Sequence, residues 1–186
     1  MQRLDRRIAV LALALSVAAT GIGSLALVTD VLTVTNDHSG TVITVDLQAN
    51  GAQSVSAEFA WTTSGEIQAQ ELLVSNAGSA QIRYAMRSTV TGSGALPSGL
   101  AAALYVVDGT DPCDPSIFDF LSPLTASQFL DFFQFGDPAT GEDTGDRTLA
   151  AGASERLCVL MQAKPDVSLE GDAQHVMTFS AESTAP

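Results

Sequence analysis

The stretch Glu71-Leu72-Leu73-Val74-Ser75-Asn76-Ala77-Gly78-Ser79-Ala80-Gln81-Ile82-Arg83-Tyr84-Ala85-Met86 carries the fold in miniature. Leu72 to Ser75 and Ile82 to Met86 each alternate in the two-residue period of a strand with one buried face. Between them, Asn76-Ala77-Gly78-Ser79 supplies the residue types that tight turns require. Outward from this hairpin-like unit the same grammar recurs. Leu32 to Thr35, Val42 to Leu47, Val55 to Trp61, Leu104 to Val107, Leu157 to Met161 and Val176 to Phe179 all read as short strands. Turn chemistry separates them at Asn36 to Gly40, Asn50-Gly51, Ser64-Gly65 and Gly92 to Gly99. No alternation of strand and helix and no internal repeat is visible. The pattern predicts an all-β protein, a β-sandwich of jelly-roll-like or immunoglobulin-like kind.

The N-terminus reads differently. Arg3, Arg6 and Arg7 precede an uncharged apolar run from Ile8 to Ala19, after which small residues take over. Ser24-Leu25-Ala26 offers small side chains at the −3 and −1 positions of a signal peptidase site, so cleavage is expected between Ala26 and Leu27. The alternative is a retained anchor, since Ile8 to Leu27 is long enough to span a bilayer. Both place the rest of the chain outside the cytoplasm, as a secreted, extracellular protein, with membrane contact only if the signal is retained. Residues 1–26 then form a secretory signal and 27–186 a single β-sandwich domain.

Charge restricts the partners. The chain has 8 Lys+Arg against 21 Asp+Glu, a formal net charge of −13. Loss of residues 1–26 removes three arginines and one aspartate, which takes −13 to −15. Such a field repels nucleic acid and anionic lipid, so neither is an expected partner.

The two cysteines, Cys113 and Cys158, are an even count in an oxidising compartment, and a disulfide is expected. Two separate thiols are the alternative. The pair brackets an insertion, 112–147, that holds six of the eight phenylalanines. Phe129, Phe132 and Phe133 at i, i+3 and i+4 predict a short amphipathic helix over Ala126 to Phe135. The insertion is thus read as short, helical and Phe-rich. Its aromatics either cap an open end of the sandwich or present an apolar surface to a partner.

Catalytic chemistry has little to work with. The only histidines are His38, in a turn, and His175, near the last strand. There is no H-E-x-x-H, no third ligand at zinc-like spacing and no G-x-S-x-G elbow. Carboxylate pairs such as Asp119 and Asp131 carry no specificity in so acidic a chain. No catalytic residue and no metal ligand is assigned, and the protein is read as not an enzyme. Asp137, Glu142, Asp143 and Asp146, and separately Asp108, Asp111 and Asp114, form oxygen-rich loops of a kind that can hold Ca²⁺. Their spacing does not match an EF-hand, and they read as solvated acidic loops. Ca²⁺ is the only cofactor that the composition suggests at all.

Several features together resemble a known family. The junction Ala26-Leu27-Val28-Thr29-Asp30 is similar to the one that follows the SipW-type signal peptide of TasA and camelysin (CalY) proteins, with Val28 in place of the usual aromatic. Val45-Asp46-Leu47 resembles the family's "G-T-V-D-L". Leu72 to Ser79 with Tyr84 resembles its "V-x-N-x-G-S-x-x-x-x-Y" turn. Leu149 to Ser154 before Leu157-Cys158-Val159 is similar to "L-x-P-G-x-S", with Ala151 where proline is common. Val176 to Glu182 resembles the closing "T-F-x-F-x-A-x-Q" strand. The resemblance implies a jelly-roll subunit of biofilm-matrix fibres, processed by signal peptidase. In such fibres the N-terminal strand of one subunit completes the sheet of the next.

The residues support that expectation independently. Within a donor strand expected over 27–36, Asp30 to Thr35 form an alternating segment at the new N-terminus, with Asp30, Leu32 and Val34 on an assembly strand free to add to an open sheet edge. A contact of that kind does not close, so it propagates self-assembly into head-to-tail filaments. The alternative is a cell-surface adhesin or ligand-binding module that uses the 112–147 insertion.

Overall fold

The computed structural model describes residues 23–31, 33–38, 41–51, 54–119, 121–127, 133–137 and 144–184. Twelve strands run in chain order: β1 (Gly23–Val31), β2 (Thr33–His38), β3 (Thr41–Ala49), β4 (Ser54–Trp61), β5 (Ile67–Asn76), β6 (Ile82–Gly94), β7 (Leu100–Val106), β8 (Thr125–Ser127), β9 (Gln134–Phe135), β10 (Arg147–Leu149), β11 (Ser154–Ala163) and β12 (Gly171–Ser183). Only two 3-10 turns, Pro97–Gly99 and Pro115–Asp119, interrupt them among the described residues. The chain is an all-β sandwich. One sheet has the order β10-β6-β12-β1-β4, with β9 also on β6, and the other the order β2-β3-β5-β11-β7-β8.

Alternation decides which residues meet between the sheets. On β12, Ala173, His175, Met177, Phe179 and Ala181 are buried and the residues between them are more open. On β5 and β11, Leu72, Val74, Leu157, Val159 and Met161 face them from the second sheet, and Phe59, Trp61, Ile82, Tyr84 and Met86 complete one continuous core. The Phe59 and Trp61 rings stack at 5.9 Å and 11°. Asn50 and Gly51, with φ of 50° and 76°, form the tight turn that follows β3.

Each of the eight expected strand runs overlaps an observed strand; Val107 falls just past β7, and Leu32 lies outside the described residues. Gly92 is not in a turn; β6 continues to Gly94 before the Pro97–Gly99 turn. His38 closes β2, in register with Thr41.

The expected helix over Ala126 to Phe135 is corrected. Ala126 and Ser127 belong to β8, and Gln134 and Phe135 to β9; residues 128–132, including Phe129 and Phe132, lie outside the described residues. Phe133 and Phe135 are buried with Gln134 exposed between them, a strand period rather than a helical one. The 112–147 segment, in its described parts, is paired with both sheets. It contributes β8 to one sheet and β9 to the other, and β10 at its end joins the same sheet as β9.

Candidate functional site

The N-terminal strand sits inside a sheet, not beside one. β1 runs parallel to β12, from Leu25 opposite Ala173 to Val31 opposite Phe179. On its other side it runs antiparallel to β4, from Gly23 opposite Trp61 to Asp30 opposite Ser54. Every other described ladder is antiparallel. β4 has β1 as its only described ladder partner. Without β1, the sheet would therefore end at β12, and β4 would have no main-chain partner in it. β1 fills a slot with two hydrogen-bonding walls.

The expected assembly strand, Asp30, Leu32 and Val34, is divided between the two sheets. Asp30 is paired on both sides, opposite Thr178 and Ser54. Val34 lies in β2, opposite Val45, in the other sheet. Leu32, between them, lies outside the described residues. The chain thus crosses from one sheet to the other in the step from Val31 to Thr33. Ala26 and Leu27, the expected cleavage pair, sit in the middle of β1, opposite Gln174 and His175 of β12. The strand begins at Gly23, upstream of the expected domain boundary.

Under the slot lies His175. Its side chain is fully buried, 5.9 Å from the Phe133 ring, and among the described residues neither ring nitrogen has a hydrogen-bond partner. Burial pushes its pKa down to about 3. Trp61 Nε1, at the end of β4, is likewise buried without a partner.

A second constellation occupies the outer face of the β2-β3-β5-β11-β7-β8 sheet. Ala103, Tyr105, Val107, Cys158 and Leu160 point away from the main core and form their own cluster with Ile117. The Cys113–Cys158 disulfide, with Cα atoms 5.4 Å apart, straps the Pro115–Asp119 turn over this face and seats Ile117 on it. Asp114 accepts hydrogen bonds from the Ser116 amide (2.8 Å) and hydroxyl, which hold its carboxyl below the usual range. Arg156 pins the approach to the strap. It donates to the Gly109 and Asp111 carbonyls at 2.8 and 3.3 Å and pairs with Glu71, whose pKa it lowers. Both carbonyls face the guanidinium. Asp146 accepts from the Asp137 amide at 2.8 Å. Among the described residues no three metal-ligating side chains come together; Glu142 and Asp143 lie outside them. Beside the strap a groove of about 170 Å³ is lined by Ile67, Ala101, Ala103, Leu160 and Phe118, whose ring is 63% exposed. The described aromatics of 112–147 therefore divide: Phe133 and Phe135 enter the core and Phe118 stays outside, so neither expected role describes all three.

Two hubs hold the ends of the sandwich, and sequence reading located only parts of them. Asn76 is buried, and its amide donates to the carbonyls of Ala80 (2.8 Å), Leu149 (3.1 Å) and Ala150 (3.1 Å) while its oxygen accepts from the Gly78 amide. It welds the Asn76–Ser79 turn to the Leu149–Ser154 turn, the two motifs singled out separately in the sequence. Nearby, Glu155 on β11 accepts from the Tyr84 hydroxyl of β6 and, in bidentate fashion, from Arg147 of β10. This clamp crosses between the sheets. Burial and the Glu155 charge raise the pKa of Tyr84, so the phenol stays a donor. Glu155 carries no sequence signal of this role. Its replacement by glutamine is expected to cost about 1–2 kcal/mol, because a charge-assisted pair becomes a neutral one. Urea denaturation measures this; no loss of stability would show the clamp to be idle.

The fold and these sites define a β-sandwich whose N-terminal strand completes a sheet and whose outer face is strapped by a disulfide. No protein-family model matches the chain, and no curated protein matches it in sequence.

Proposed function

We propose that the chain is a secreted structural subunit of extracellular fibres, in which β1 of one copy occupies the slot between β12 and β4 of the next. The observation that carries this reading is the position of β1. A terminal strand that is parallel to one wall, antiparallel to the other, and the only described partner of β4 is a removable part of the sheet. The short crossing from Val31 to Thr33 is where such a strand would swing away from its own sandwich. Strand addition of this type satisfies every main-chain group of the slot and leaves the next slot open, so the contact propagates without closing. The TasA-like and camelysin-like motifs point the same way. The disulfide fits an extracellular site, and no described helix is long and apolar enough to cross a membrane.

The test is polymerisation of the processed protein, followed by electron microscopy. Filaments are expected from the protein cut after Ala26, and deletion of Leu27 to Asn36 should leave none. Unchanged filaments from the deletion variant would sink the proposal.

A second reading is supported by the exposed Phe118 beside its apolar groove, which suits a ligand-binding or adhesive module. Phe118→Ser should then abolish binding in a glycan screen while filaments are unaffected.

A further inference from the structure

Among the described residues, no hydrogen bond explains His175. An imidazole is a donor and an acceptor, and burying it with neither nitrogen bonded costs stability that a leucine or phenylalanine in the same place would not. Its position is specific. It stands on the wall of the slot, in register with Leu27 of β1 on one side and Val90 of β6 on the other. Withdrawal of β1 would strip away the strand beside it and open the ring to water.

We infer that His175 is a proton-sensitive latch on the β1 slot: β1 stays seated over the neutral ring, and protonation of the ring in the opened slot prevents the strand from reseating. The biological meaning of the latch rests on the strand-exchange reading above. The proton comes from solvent and is held on the ring nitrogen left free.

Among the described side chains, no charged group is bonded to either ring nitrogen. On β6, Arg83 and Arg87 pair with Glu182 and Asp137. On β12, Asp172 accepts from Ser93, in register across the ladder. On β1, Asp30 is in register with Thr178, three positions along the strand from His175. β3 contributes Asp46, which accepts from Gln48, and β2 carries Asp37 and His38 in register with Val42 and Thr41. The 133–135 segment presents the Phe133 ring. A protonated His175 under a seated β1 would therefore be an unpaired buried charge.

The sign of the pH effect follows. The seated state keeps the ring neutral down to about pH 3, whereas an open, hydrated ring titrates near the ordinary value of 6.5. Stability of the seated strand is whole above that ordinary value and is lost progressively as pH falls below it. Between pH 7.5 and pH 5 the opening equilibrium should rise about 30-fold.

Hydrogen exchange of the full chain, corrected for the intrinsic pH dependence of amide exchange, reads this in the isolated molecule. Amides of β4 and of residues 173–179 should open about 30-fold more at pH 5 than at pH 7.5, with the β5–β11 ladder unchanged. H175Q and H175F should both lose the response. A flat wild type, a response shared equally by β5–β11, or a response retained in the variants would each overturn the latch. If H175F does not fold, H175Q and the imidazole titration of the wild type decide; a His175 ring that titrates near pH 6.5 in the intact sandwich would refute the latch. A chain that shows the acid response but never forms filaments keeps the latch and loses the fibre reading.

Discussion

Replacing Cys113 and Cys158 together by alanine is expected to lower the stability of the sandwich by as much as about 4 kcal/mol, the loop-entropy value for a 45-residue separation. The location of the bond makes the loss larger than a tether at a floppy base would give. Cys158 is fully buried on the outer face of β11, beneath the strap that carries Ile117, and Tyr105 and Leu160 depend on the same cover. Freeing the strap leaves an apolar patch on a face that would otherwise meet water, next to a groove that is already apolar. Urea denaturation of wild type and variant gives the number directly, and binding of an apolar dye reports the uncovered patch. A loss below about 1 kcal/mol with no added dye binding would show that Arg156 and the packing of Ile117 hold the strap without the bond.

The second large effect is expected at Asn76. Its amide hydrogens are shared among three carbonyls and its oxygen takes one amide, all within a buried junction of two turns. Asn76→Ala removes the hub and leaves these groups unsatisfied, at a cost of about 3 kcal/mol. Asn76→Asp should be worse, because a carboxylate cannot donate to carbonyls and would face three of them. The check is the same denaturation measurement on both variants. Equal stability of Asn76→Asp and wild type would mean that the carbonyls are satisfied by other donors.

How much of this was legible depended on the distance over which the information is spread. The eight strand runs are local patterns of alternation, and turns such as Asn50-Gly51 are local chemistry, so both could be read directly. The disulfide also followed from compartment and count. β1 was not legible as a strand from Gly23, because Gly23 to Ala26 have the small, apolar composition of a signal's end, and nothing local marks the two strands that will flank them. The helix over Ala126 to Phe135 was misread because Phe129, Phe132 and Phe133 satisfy a helical period, while Phe133 and Phe135 satisfy a strand period at the same place. Short strands such as β8 and β9 contain too few residues to set a period of their own. Asn76 was legible as a turn residue but not as a hub, since its partner Leu149 is 73 residues away. The Tyr84, Glu155 and Arg147 clamp depends on three strands from two sheets, and a single acidic residue near the start of a strand announces none of it.

The central claim is that β1 can occupy the slot of another copy, and a mixed cross-linking experiment tests it most directly. Asp30 and Thr178 are in register across the β1–β12 ladder, and Thr178 is exposed. One preparation would carry Asp30→Cys alone and a second Thr178→Cys alone, each processed after Ala26, mixed and then oxidised mildly. Strand exchange predicts a disulfide between the two different chains in the assembled material, and none when either variant is oxidised by itself. If the mixture gives no such bond while a single chain carrying both substitutions closes efficiently on itself, β1 belongs to its own sandwich and the fibre mechanism is wrong.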